Sequence, residues 1–454
     1  MNASSMSALE RRAVAALACL YVFRMLGLFM LLPVLPLYAA EYAYSTPLLV
    51  GLALGIYGLG QAVLQIPLGM LSDRIGRKSV IVAGLLLFAA GGVLAASASS
   101  IYTVILGRLL QGTGAIASTL TAAVADLTRE QHRSKAMAAI GVSIGLSFAV
   151  AMVVGPAFTS AYGISALFLL TAALALIGVG VAVFIVPSPR IQSRAPGERP
   201  LAGLLRRCLT SGSLMRLNIG VFVLHAVMMA LFLVLPSRLT ELGLLVERHW
   251  QVYLPVVIVA FLLMIPALVV AEKRDWQEQL LRAAIVLLAS ALLGAALAPS
   301  ALWIAVAVLL LFFTSFNYLE AALPALLSRS VYAGGKGTAM GVFASCQFMG
   351  AFCGGALGGW LLEYGGEVAM FAVAAGAVLL WLLSTRGMTL PAPSLSLTLS
   401  WRDSEWNYER LQRELLCLPG ALDMTVFEAD RQVYLRAERG FDIARLPPGL
   451  SLRD

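Results

Sequence analysis

From Ala13 to Leu383 the chain is a succession of apolar runs, each close to the length that crosses a lipid bilayer. About 20 mostly apolar residues in a helix cover the ~30 Å hydrocarbon layer. Hydrocarbon offers no hydrogen bonds, so a spanning backbone must satisfy its own N–H and C=O groups, which a helix does. Hydrophobic residues make up 60% of the chain and charged ones 12%, with a mean hydropathy of +0.88. Soluble domains hold roughly 45–50% apolar residues, so a soluble fold is excluded. The first run follows Arg11 and Arg12 as a signal peptide would. It is long enough to span and further spans follow, so it is expected to stay in place.

Apolar windows bounded by charges, Gly/Pro clusters or Ser/Thr place six spans near 13–38, 48–71, 79–98, 101–126, 134–160 and 164–187. Six more fall near 217–239, 249–271, 279–298, 300–327, 337–362 and 367–386. The expected architecture is an all-α membrane protein of twelve transmembrane helices in two pseudo-symmetric six-helix halves, residues 1–188 and 217–388. A linker, 189–216, joins them, and a small soluble domain, 394–454, follows.

Alternate loops differ in charge. One set carries Arg74, Arg77, Lys78, Arg129, Arg133, Lys135, the arginines of the linker, Lys273, Arg274, Arg282, Arg329 and Lys336. The other carries little beyond Arg238 and Arg248. The positive-inside rule therefore puts the first set and both termini in the cytoplasm. The net charge of +8 and pI near 9.4 reflect these loops, so no nucleic-acid partner is expected. The five cysteines show neither CxxC nor metal-ligand spacing, so neither a disulfide framework, a zinc site nor a cofactor is expected.

The two halves echo each other. "LLPVLPLY" near Pro36 parallels "FLVLPSRL" near Pro236, Ile66-Pro67 parallels Ile265-Pro266, and "KAMAAIGVSIG" parallels "TAMGVFASCQF". The shared offset of about 200 residues suggests a duplicated unit, the arrangement of many secondary transporters. The stretch from Pro187 to Arg216 is polar, basic and rich in Pro and Gly, as suits a linker.

Between the second and third spans lies "LGMLSDRIGRKSV", with Gly69, Asp73, Arg74, Gly76, Arg77 and Lys78. A generic hairpin needs a turn glycine and some basic residues, but not an acid three residues before the glycine. The fourth span carries "GRLLQGTGAIAS", with Arg108, Gln111 and Gly112, and the fifth "GVSIGLSFAVAMVVGP", with Gly155 and Pro156. These motifs resemble the cytoplasmic, helix-4 and helix-5 signatures of the major facilitator superfamily, the last without the glycine pair that follows its proline. With "FRMLGLFMLLPVLPLYA", "ADLTREQHRSKAMA" and the soluble tail, the chain resembles the YajR-like subgroup of efflux transporters. The resemblance implies a secondary carrier of the inner membrane that exports small organic or drug-like compounds in exchange for protons by alternating access. It implies no catalytic residues and no cofactor, with protons, a small molecule and membrane lipids as partners.

Asp73 lies where a span meets the cytoplasm, and Gly76 can take the positive φ of a tight turn. An aspartate there can accept hydrogen bonds from the free N–H groups at another helix N-terminus. The family resemblance implies that this partner is the start of helix 11, from Gly334, and that Arg77 pairs with Asp126, so that the loop latches the outward-facing state. The plainer alternative is that Arg74, Arg77 and Lys78 only enforce topology.

Arg24 lies roughly 18 Å beyond Arg12 along the first helix, too deep to snorkel easily. It needs a partner, which a helix carbonyl or Glu320 would supply. Glu320 lies deep in the tenth span, with Asn317 one turn earlier. The resemblance places helices 1, 4, 7 and 10 around the central cavity, so Arg24, His225, Asn317 and Glu320 are substrate-cavity candidates, with Asn218 a weaker one. The resemblance links Arg108 to proton coupling. A positive charge favours an ionised acid nearby while burial opposes it, so such a pair loads and releases protons as the cavity changes wetness. The first six spans hold no interior acid, which makes Glu320 the expected proton carrier, with Arg108 and Arg24 as coupling residues. The glycines of "GLALGIYGLG" and "GGALGG" are expected to serve helix packing.

Beyond Arg386 the composition turns polar. A strand near 395–400, a helix near 404–417, strands near 421–428 and 432–437 and a short second helix in "FDIARLPPGL" read as an α+β ferredoxin-like domain. At this size it is expected to dock to the bundle or self-associate. "GRLLQGTG" lacks the GK[ST] of a nucleotide-binding loop, which argues against a primary pump. The competing functions are a membrane sensor or scaffold with a ligand-responsive tail, a uniporter and a proton symporter.

Overall fold

In the computed structural model the described residues are 6–187, 201–297, 301–331, 336–388, 394–401, 406, 408–427, 431–438, 440–447 and 449–452. Helix α1 (Ala8–Phe29) opens on a capping box in which Ser7 and Glu10 satisfy each other's backbone N–H groups. It ends at Phe29, and after a turn α2 (Leu35–Tyr38) follows. The uninterrupted first span expected over 13–38 is thus corrected. Pro33 has no N–H to give to the Phe29 carbonyl four residues back, and its ring would clash there.

The first half continues with α3 (Pro47–Ile75), α4 (Arg77–Ala96), α5 (Ile101–Thr113), α6 (Ala117–Leu127) and α7 (Glu130–Phe184). The run expected as one helix over 101–126 is broken between α5 and α6 at Gly114, whose backbone packs against Gly84. Helix α7 bends back at Gly163, where φ is 80°, close to the boundary expected between two spans. The second half comprises α9 (Gly212–Glu241), α10 (Trp250–Lys273), α11 (Gln277–Leu297), α12 (Leu302–Ser330) and α13 (Lys336–Ser384), which folds back at Gly366 with φ 76°. Ahead of it stands α8 (Leu201–Thr210), a short basic helix inside the segment expected as linker, and α9 starts at Gly212 rather than 217. Residues 188–200 lie outside the described set. Among the described residues nine helices are long and apolar enough to cross a membrane.

Contacts between distant residues sort the helix ends into two sides. On the side where α1 begins, the near side, Arg12 donates to the Phe184 carbonyl and Lys78 to those of Val183 and Val186. Both cations thereby cap the end of α7, where carbonyls lack helical partners. On the far side, Leu48 N–H donates to Glu363 at 2.9 Å and Arg238 pairs with Glu367 at 3.2 Å.

The halves meet along α3 and the first part of α13, which run antiparallel with glycines at the crossing. A Cβ on Gly55 would lie 2.7 Å from the Phe352 carbonyl oxygen, and one on Gly359 2.6 Å from that of Pro47. Gly51 and Gly355 are packed against each other more tightly still. Of the two glycine stretches expected to serve packing, Gly51, Gly55, Gly355 and Gly359 thus share one interface, while Gly60 packs on α5 and Gly354 on α9. The far side is closed by rings from both halves: Phe148 packs on Phe29 at 5.1 Å and on Phe313 at 5.7 Å, and Phe232 on Phe313 at 6.2 Å.

After α13 come β1 (Ser394–Trp401), α14 (Tyr408–Leu416), β2 (Ala421–Phe427), β3 (Gln432–Glu438) and β4 (Leu450–Leu452). The sheet is antiparallel in the order β2-β3-β1-β4. Its core gathers Leu399, Trp401, Leu411, Leu415, Val433 and Leu435. The expected second helix is corrected to a single 3₁₀ turn over Ile443–Arg445, since the prolines after it permit no longer helix. Arg436 of β3 donates to the Val331 carbonyl at the end of α12 at 3.1 Å, which brings the sheet against the bundle.

Candidate functional site

Three polar groups stand out against the apolar bundle. The first is the near-side knot. Gly76 has φ 98° and joins α3 directly to α4, a conformation open to glycine alone. Arg77 then turns back across the first half. Its Nε donates to Asp126 Oδ2 at 3.0 Å, one Nη donates to Ser72 Oγ and to the Gly69 carbonyl, and the other pairs with Asp73. The side chain is 12% exposed, so one guanidinium ties together the near ends of α3, α4 and α6. Asp73 is 60% exposed and its described ion pair is with Arg77. The helix start expected to receive it, at Gly334, lies outside the described residues.

Because charged hydrogen bonds of this kind contribute about 1.5–3 kcal/mol, Arg77→Ala and Asp126→Ala should each destabilise the first half. Their effects should be strongly non-additive, with a coupling of about 1 kcal/mol or more in a double-mutant cycle on thermal unfolding. Simple additivity would show the pair to be energetically idle.

A neighbouring ion pair was not foreseen. Glu10 is 5% exposed and accepts from the Arg129 side chain at 3.0 and 2.9 Å and from its backbone N–H at 2.9 Å. That carboxylate holds the Arg129 guanidinium above its usual pKa. The Ser-x-x-Glu capping box was the available signal, but nothing local points to residue 129.

The second group is a polar core inside the first half. Arg24, 3% exposed, donates through one Nη to the Tyr57 hydroxyl at 3.1 Å and to Gln61 Oε1. Gln61 in turn donates to the Gly112 carbonyl. Arg108, fully buried, donates to Gln111 Oε1 at 2.9 Å and to the Ala53 carbonyl, and lies 5.0 Å from the Tyr57 ring centroid. Two buried guanidiniums thus flank one tyrosine, and every hydrogen-bond partner described for them is neutral. The pairing of Arg24 with Glu320 is therefore corrected. Tyr57 and Gln61, two polar residues one turn apart on α3, reach Arg24 from within its own half. Gly155 serves packing, against the Met30 backbone, and Pro156 is buried beside it.

The third group is in the second half. The Gln347 amide nitrogen donates to His225 Nε2 at 2.8 Å and to Glu320 Oε1 at 3.2 Å, while His225 Nδ1 meets the Val221 carbonyl at 3.1 Å. With the Val221 carbonyl taking the Nδ1 proton, Nε2 is left to accept from Gln347. Glu320 Oε2 stands 3.6 Å from His225 Nε2, and the Glu320 side chain is 41% exposed although it lies deep in α12. Buried polar atoms without a partner continue along the same helix at Thr314 Oγ1 and Asn317 Nδ2, with Ser345 Oγ on α13 and Asn218 Oδ1 on α9. Gln347, Thr314 and Ser345 were not singled out in the sequence, because polar neutral residues are common in spans.

The second and third groups share a level. Tyr57 and Gln347 immediately precede Gly58 and Phe348, and a Cβ on Gly58 would lie 2.5 Å from the Phe348 carbonyl oxygen. By helix rise, Arg24 is about 7 Å, and His225 and Glu320 about 10 Å, to the near side of the aromatic closure.

The fold and the sequence both match known proteins. The Major Facilitator Superfamily profile fits residues 17–352. The chain belongs to that superfamily. The inner membrane transport protein YajR of Escherichia coli strain K12 is 40% identical over 440 residues, 96% of each chain. The tetracycline resistance protein of class E from Escherichia coli is 30% identical over 181 residues, 39% of this chain and 44% of that one. A crystal structure of the nucleoside transporter NupG superposes with a TM-score of 0.69 at 13% identity, covering 83% of this chain and 99% of that one. At such low identity the superposition speaks for the fold alone. As a member of this superfamily the chain is a multi-pass transporter-family protein.

Proposed function

We propose that this superfamily member exports small organic compounds across the inner membrane in exchange for protons, by alternating access, with both termini cytoplasmic. The observation that carries the proposal is the Gln347 bridge between His225 and Glu320, an acid deep in the bundle yet partly exposed. Protonating Glu320 changes what its oxygens offer to Gln347 and to any ligand. Intramembrane ionisable residues of this kind mark ion and substrate pathways.

In this view the nine apolar helices form twelve spans: α7 and α13 each count twice across their glycine bends, and α5 with α6 completes the set. The arginine excess on near-side loops puts that side in the cytoplasm. The far-side rings make this a form whose site is shut from outside. Asp73, held by Arg77 beside Asp126, is then the latch residue that engages the second half when the near side closes. The small sheet domain, ferredoxin-like in strand order, docks on the near end of α12. The partial likeness to a tetracycline resistance protein supports export of drug-like molecules.

The test is transport by the purified chain in vesicles with an imposed pH gradient, against a panel that includes tetracycline. Compound movement is expected to follow the gradient and to stop when nigericin collapses it. Movement indifferent to the gradient would leave a uniporter.

A further inference from the structure

Three charged side chains at the shared polar level keep atoms unspent by the contacts described above, one of them Arg108, fully buried with one Nη unpartnered. Arg24 keeps Nε and one Nη without a partner although the residue is more than nine-tenths buried. Across the half-to-half contact, Glu320 keeps Oε2, a buried acceptor with no hydrogen bond. A buried guanidinium without an anion is costly, and so is a carboxylate oxygen without a donor. Among the described residues, the charged and titratable groups at this level include Arg24, Arg108, Tyr21 and Tyr57 on one half and His225, Glu320, Tyr318 and Cys346 on the other. The neutral partners of both arginines leave the first half positive, while the described contacts of Glu320 are with Gln347 and His225 and include no Lys or Arg.

We propose that the site holds an amphoteric organic molecule, with its acidic group on Arg24 and its amine on Glu320. The proposal rests on the transport function above and names its substrate class. A simple anion would satisfy Arg24 but face the Glu320 carboxylate, and a simple cation would do the reverse. A molecule carrying both charges compensates each half, and in doing so draws the halves together. The unpartnered Thr314, Asn317 and Ser345 atoms give its polar middle further hydrogen bonds. Proton exchange follows from the same geometry. A proton on Glu320 removes the partner of the amine, so proton and substrate exclude each other at that oxygen. The site refills only after the proton has left.

The test uses aminoalkylbenzoates of increasing chain length, each compared with its methyl ester, which keeps only the amine, and its N-acetyl form, which keeps only the acid. Binding to the full purified chain is followed by calorimetry. For at least one length the amphoteric form should bind about tenfold more tightly than either blocked form, the scale set by one charged hydrogen bond. Arg24→Gln should bring it down to the ester while leaving the ester itself unchanged. Glu320→Gln should bring it down to the N-acetyl form. Arg24→Lys keeps the charge and should retain most of the preference, which separates a lost contact from a lost fold. Equal binding of blocked and unblocked forms, equal weakening of both by Arg24→Gln, or no binding anywhere in the series would overturn the proposal. Gradient-driven transport of tetracycline without this preference would remove the substrate class and leave the exporter. The preference without gradient dependence would do the opposite.

Discussion

Glu320→Gln should reduce gradient-driven transport to the level of protein-free vesicles. Gln keeps the size of the side chain and an oxygen to accept from Gln347, which Glu320 now does at 3.2 Å. It has no proton to load or release. Because Oε2 has no hydrogen bond to lose and the contact to Gln347 is kept, the change should move the unfolding temperature little. Exchange of compound for compound, which needs no net proton movement, should survive in the same vesicles. Loss of both activities together with a lowered unfolding temperature would mark Glu320 as structural. The variant Gln347→Leu removes the donor shared by His225 and Glu320 and should lower gradient-driven transport, while Glu320 itself remains.

The second large effect concerns the crossing of α3 and α13. Gly355 packs against the Gly51 backbone, and a Cβ on the neighbouring Gly359 would come 2.6 Å from the Pro47 carbonyl oxygen. These partners are backbone and cannot rotate away. Gly355→Leu should therefore separate the halves, at a cost of about 3 kcal/mol or more, the upper end for overpacking. It should appear as loss of monodisperse protein and of transport. Gly376→Leu, later in α13 where nothing lies within 4 Å of the added Cβ, should leave both unchanged. Equal tolerance at the two sites would mean that the halves do not meet as described.

Much of this was legible in the sequence, for physical reasons. Runs of apolar residues have one stable answer in hydrocarbon, so the helices followed from composition. Gly163 and Gly366 fall at or beside the expected ends of spans because a chain that must turn with φ near 80° selects glycine. Asp126 and Arg77 were joined through a motif, and they lie 3.0 Å apart. What the sequence hid was range. Arg24 finds Tyr57 and Gln61 on α3, and no local pattern says which of many polar residues turns toward a given helix face. Helix α8 was hidden by the polar residues around it, since a short amphipathic helix and a basic linker have the same composition. The break between α5 and α6 leaves no trace in hydropathy, because Gly114 and its neighbours are as apolar as the helices on either side.

The central claim is that a compound and a proton exchange at Glu320. Its most direct measurement is the internal pH of inside-out vesicles carrying the wild-type chain or Glu320→Gln, acidified inside and then given each compound of the panel. For at least one transported compound the wild type should release protons outward as the compound enters, and Glu320→Gln should release none. Compound entry into wild-type vesicles with no proton release, or equal release by both proteins, would contradict it.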